Sequence, residues 1–273
     1  MITLVEVRTD RGLLLALPIM DPAEGIFVVN IDGLDPVDAV LTYSSMANQD
    51  DEQEQSSKRV KRNLIFTLGY QPDYVNSTIG KLRERLYTFL MPKSQVRVRF
   101  YSDDKPTVEI VGRVEKFNSP LFAKDPEATI SILCAKSNFV GLDTLTFGGD
   151  TTATAVELSR TYPGSIETGG LFTISPNRAM SGFSIINRLP DDSVQTQDFV
   201  YSLAAGDVIK VNSVNLQKYV RLTRAGATGS VLSAISPYSQ WLHLYPGVNR
   251  LRVAASGAAV PWTFQYANKY GGL

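Results

Sequence analysis

The residue types that carry most enzyme chemistry are scarce in this chain: one histidine, His243, and one cysteine, Cys134, among 273 residues. A Ser-His-Asp or Cys-His nucleophile system would have to use that single imidazole. No Gly-x-Ser-x-Gly elbow is present, and Cys134 lies in the other half of the sequence. Zinc sites need several Cys or His ligands at set spacing, and a lone cysteine closes no internal disulfide. The adjacent carboxylates Asp103 and Asp104, like Asp191 and Asp192, sit in turn-like sequence where neighbours point apart, unlike the facing pair of a glycosidase. Gly148-Gly149 and Gly169-Gly170 are turn glycines with no helix-opening Lys-Ser/Thr after them, so no phosphate-binding loop is read. The sequence predicts no catalytic residue, no cofactor and no metal.

Two features could support binding. Asp50, Asp51, Glu52 and Glu54 are followed at once by Lys58, Arg59, Lys61 and Arg62, a reversal of charge within one polar stretch. Such a stretch is either a solvated loop or a contact in which acidic and basic halves of identical neighbours meet head to tail. The second feature is the aromatic run Tyr238, Trp241, Tyr245, Trp262, Phe264, Tyr266 and Tyr270. Alternating aromatics are either sandwich core or, if exposed, platforms for sugars, with Trp241 and Trp262 the candidate glycan contacts.

The elements that would position these residues are mostly strands. Leu13–Leu17, Ile26–Ile31, Asn63–Gly69, Val96–Phe100, Val108–Val114 and Thr129–Cys134 are short apolar or alternating runs bounded by turn residues. One helix is expected over about 74–91, because Ile79, Leu82, Leu86, Phe89 and Leu90 fall on one 3.6-period face and Pro92 follows. The stretch at about 44–62 is an extension between strands. After residue 142 no long helical period appears. Strand runs recur at sandwich-like spacing, at Leu171–Ile174, Phe183–Ile186, Phe199–Leu203, Val208–Val211, Tyr219–Leu222 and Arg250–Val253. His243 alternates with Leu242 and Leu244, as a strand residue would.

Charge density changes near the same place. Residues 1–142 hold 17 basic and 19 acidic side chains, against 10 and 8 in 143–273, which argues for two domains, 1–142 and 143–273. Net charge is zero, so no global field draws the chain to nucleic acid or an anionic membrane. No apolar run is long enough for a membrane helix and the first residues do not resemble a signal peptide, so a soluble protein made in the cytoplasm is expected.

Val111–Glu115 (VGRVE), Ala128–Cys134 (ATISILC) and Ser137–Phe139 (SNF) occur in that order, then Gly206–Asn212 (GDVIKVN), Tyr219–Leu222 (YVRL) and Trp241–Asn249 (WLHLYPGVN). This succession resembles the distal tail proteins of long-tailed, siphovirus-type bacteriophages, although Ser137-Asn138 stands where many members carry Asp-Pro. The resemblance implies a mainly β fold, with an N-terminal β-sandwich or barrel bearing one helix and a belt-like extension, then a galectin-like β-sandwich. It implies a non-enzymatic structural protein of the virion tail tip or baseplate. That protein would form a homohexameric ring between tail-tube protein and tail-tip hub protein. DNA and the tape-measure protein would pass through its channel without sequence-specific binding or membrane insertion. Rival readings are a glycan-binding adhesin and a tail-associated glycosidase or peptidase.

Overall fold

In the computed structural model, which describes residues 1–45, 50–120 and 126–273, the chain is mainly β, as expected. It divides into two compact units, Met1–Leu142 with Tyr270–Leu273, and Asp143–Lys269. The last four residues thus belong to the first unit and fall outside the second, whose expected span is 143–273.

The first unit contains strands β1 (Ile2–Thr9), β2 (Leu14–Pro18), β3 (Ile26–Asp32), β4 (Ala39–Ser45), β5 (Glu52–Arg59), β6 (Arg62–Tyr70), β7 (Gln95–Ser102), β8 (Val108–Asn118) and β9 (Glu127–Cys134), with helix α1 (Ile79–Leu90) between β6 and β7. Strands run in the order β2-β1-β7-β8-β9-β6-β3, all antiparallel. A parallel bridge between Ile19 and Val28 brings β3 back to the end of β2, wrapping the sheet as a barrel. Period-two alternation fills it: Val96, Val98 and Phe100 from β7 and Ile130, Ile132 and Cys134 from β9 point inward. Gly112 of β8 is required there, because a Cβ would lie 2.5 Å from Ile132 Cγ2 and 2.7 Å from Cys134 Sγ.

Helix α1 buries Leu82, Leu86 and Leu90, each worth about 2 kcal/mol relative to exposure. It starts five residues later than the expected 74. Asp73 Oδ1 accepts from the backbone amides of Val75, Asn76 and Ser77 at 3.1, 2.9 and 2.7 Å, and Tyr74 adopts a left-handed φ of 56°. That local turn satisfies the amides otherwise than by a helix, and Thr78 then caps the first turn. Met91, extended before Pro92, ends it.

Strand β10 (Phe139–Asp150) contains the boundary at residue 142. The second unit adds β11 (Leu158–Tyr162), β12 (Thr168–Ile174), β13 (Phe183–Arg188), β14 (Val194–Phe199), β15 (Val208–Asn212), β16 (Tyr219–Arg224), β17 (Ala227–Ser230), β18 (His243–Leu244), β19 (Gly247–Ala254) and β20 (Pro261–Tyr270). One sheet runs β17-β16-β15-β12-β20-β10 and the other β11-β19-β13-β14. Their inner faces share a core of Phe172, Phe183, Phe199, Trp262, Phe264 and Tyr266. The expected strand at 199–203 lies instead at 194–199, where polar Gln195 and Gln197 hide the pattern. Asn249, fully buried, holds the turn before β19: its Oδ1 accepts from Tyr245 N at 3.0 Å and its Nδ2 donates to Tyr245 O at 2.7 Å.

Candidate assembly interface

The extension is a β-hairpin arm. Among the described residues strands β4 and β5 pair only with each other, from Ala39↔Arg59 to Ser45↔Glu52, with a bulge between Thr42 and Tyr43. The arm begins five residues before the expected 44, and residues 46–49 of the expected extension lie outside the described residues. Every residue of both strands is exposed except half-buried Ser44. Alternation and register put Leu41, Tyr43, Glu52, Glu54 and Arg59 on one face and Val40 and Lys58 on the other. Leu41 and Tyr43 are each 48% exposed. An isolated two-stranded ribbon is marginal in water, so a ribbon with three apolar side chains on open faces is a surface suited to being covered.

The eight charged residues singled out in the sequence divide. Asp50, Asp51, Glu52, Glu54, Lys58, Arg59 and Lys61 are exposed. Arg62 is not part of this surface: it is 0% exposed, in phase with buried Leu64, Phe66 and Leu68 on β6. Its guanidinium donates to the carbonyls of Ser137 (2.6 Å), Asp35 (2.7 Å), Gly33 and Gly271. Burial pulls its pKa below the ordinary value, opposed by Cys134 and Asp35. Arg62 is therefore an internal tie of the first unit, correcting its place among the interface candidates.

The glycan candidates divide as well. Trp262 is 2% exposed and packed among Phe147 and Phe172, so it is core and offers no platform. Trp241 is half-buried, with Lys218 Nζ 5.3 Å from its ring centroid. His243 Nδ1 lies 2.9 Å from Trp241 O, and burial lowers its pKa, which favours the neutral ring. Burial pushes the Cys134 thiol up to about 11, against the influence of Arg62, making it a packed side chain and not a nucleophile. Asp191 is engaged with Ser193, and no His, Cys, Asp and Glu group able to hold a metal occurs among the described residues.

A barrel unit carrying a hairpin arm, followed by an all-β sandwich, is a fold that has been solved before. The crystal structure of the SPP1 Dit protein, described as a paradigm of the hub adsorption apparatus in phages infecting Gram-positive bacteria, matches 97% of this chain and 98% of its own at 15% identity, with a TM-score of 0.65. The phage P2 baseplate in its activated conformation with Ca matches across all of both chains at 8% identity and a TM-score of 0.44. No curated protein matches the sequence. Residues 163–270 match the family model of the siphovirus-type tail component, C-terminal domain. Those residues are thus similar in sequence to that family's C-terminal domain, and the chain as a whole is similar in fold to the SPP1 Dit protein.

Proposed function

We propose that this chain is a non-enzymatic structural protein of the phage tail tip or baseplate, and that six copies form a ring joining the tail tube to the tail-tip hub. The exposed hairpin arm carries this reading. A ribbon with no core of its own and apolar residues on both faces gains its stability from a neighbour, and a contact between two different patches of one chain closes into a ring by rotation. The first unit builds the ring, and the second is a galectin-like sandwich. DNA and the tape-measure protein pass through the central channel, for which zero net charge suits passage better than tight phosphate contact. The assembled protein resides in the virion after synthesis in the host cytoplasm.

Mass photometry over a concentration range tests the ring. A six-copy species, formed alone or with tail partners, is the expected result; a protein that stays monomeric and never enters a tail rules it out.

A further inference from the structure

The large sheet of the second unit turns one face to the sandwich core and the other outward. Phe172, Val211, Val220 and Phe264 point inward, so alternation turns their strand neighbours to solvent. Register lines up Ser230, Arg221, Lys210, Thr173 and Thr263 in one row across β17, β16, β15, β12 and β20. The row crosses four interstrand spacings, about 19 Å. All of it is exposed except half-buried Thr173.

The charge on this face is one-sided. These five strands contain no Asp or Glu. Lys210 and Arg221 stand directly opposite one another, and like charges in cross-strand register repel. Arg188 and Arg250 are opposed in the same way on the other sheet, but there Glu157 lies 3.4 Å from the first and Asp192 3.5 Å from the second. Among the described residues neither Lys210 nor Arg221 has an ion pair or a side-chain hydrogen bond. Arg221 is instead laid over Tyr219, with its Cζ 4.6 Å from the ring centroid, which leaves its N–H donors to solvent.

The side chains of the row indicate the ligand chemistry. None of the chain's exposed large apolar residues lies on these five strands, whereas protein interfaces bury an apolar and aromatic centre. Hydroxyls flanking two cations suit an anion that itself carries hydroxyls. A planar carboxylate is satisfied by one guanidinium fork, while a tetrahedral phosphate offers further oxygens to the ammonium opposite.

We propose that this row is a binding track for a phosphate-bearing polyol or sugar polymer, with Lys210 and Arg221 on one phosphate and Ser230, Thr173 and Thr263 hydrogen-bonded to hydroxyls on either side. The track lies within the second unit and does not depend on the ring. It is also separate from Trp241, which is on none of these strands.

Calorimetric titration of the full chain with poly(glycerol phosphate), polygalacturonate and dextran tests it. Poly(glycerol phosphate) should bind at low ionic strength, weaken as salt rises and outcompete polygalacturonate, and dextran should give no heat. Lys210→Gln with Arg221→Gln should lower the affinity for poly(glycerol phosphate) about tenfold or more, because two charge-assisted contacts are lost. Trp241→Ala should bind as the wild type does. Both replaced cations are exposed and repel one another, so the double variant should melt no lower than the wild type, which circular dichroism checks. A wild type that binds no phosphate polymer, or a folded double variant that binds it equally well, overturns the track. Equal binding of polygalacturonate overturns the choice of phosphate. A double variant that keeps its polymer binding but no longer enters tails makes this face a protein contact instead.

Discussion

Arg62 places its guanidinium 4.4 Å over the ring of Phe139, so a buried cation is held by an aromatic face and by four backbone carbonyls from three separate segments. With Gly271 among those carbonyls, the last residues of the chain are tied to the first unit through one side chain. Ser137 and Phe139, in the SNF stretch, form part of its seat.

Removing that tie should be expensive. Arg62→Ala is expected to cost about 3–5 kcal/mol, since it leaves several carbonyls unpaired. Arg62→Lys should be intermediate, because a compact ammonium does not reach four divergent acceptors. Hydrogen exchange checks the locality: amides at 33–37 and 270–273 should exchange faster in Arg62→Lys, while those of β13 and β19 keep the wild-type rate.

Gln197 makes the opposite case. It is 2% exposed, faces the sandwich core beside Phe199, and among the described residues neither amide atom has a hydrogen-bond partner. Replacing it by Met, of similar size, should raise the stability of the second unit by about 1 kcal/mol. Both tryptophans lie in that unit, so the shift should appear in urea unfolding followed by tryptophan fluorescence. An unchanged or lower midpoint would count against the assignment.

Acid should destabilise the chain for identifiable reasons. The hydrogen bonds of Arg224 depress Asp207, and the Ser77 and Asn76 backbone amides hold Asp73 below the ordinary carboxylate range. A depressed folded pKa contributes stability that is fully present above the unfolded value of about 3.9 and is lost as pH falls through the folded value. Stability should therefore be flat with respect to these groups above about pH 5 and fall on the acid side. Asp207→Asn should shrink that acid-side loss in the second unit, and a series of melting curves from pH 2 to 7 would register it.

The tryptophans separate the sugar-binding reading from packing. Trp262→Ala should cost about 3–5 kcal/mol through lost core volume. Trp241→Ala, at a half-buried position beside Lys218, should leave the fold intact and change no signal on a glycan array. Specific glycan binding by the wild type that disappears in folded Trp241→Ala would favour an adhesin instead.

Local pattern made much of the architecture legible. The 3.6-period face of Leu82, Leu86 and Leu90 marks the helix and period-two runs mark the barrel strands, because side-chain direction in a regular element depends only on near neighbours. The arm was legible as exposed polar sequence, but its pairing was not, since two solvent-facing strands lack the hydrophobic alternation that reveals register. Arg62 was grouped with its cationic neighbours by composition, although its phase with Leu64, Phe66 and Leu68 pointed inward. Phase alone cannot say whether a charge will find acceptors there. The carbonyls of Gly33, Asp35, Ser137 and Gly271 converge only in the folded chain.

The scarcity of histidine and cysteine, the neutral charge and the β-rich periodicity were determined by the sequence itself, because they depend on composition and local order. Which of the clustered charges face solvent and which tryptophan is core were decided only by tertiary structure. Burial and convergence are set by contacts between residues far apart in the chain, and no local pattern encodes them.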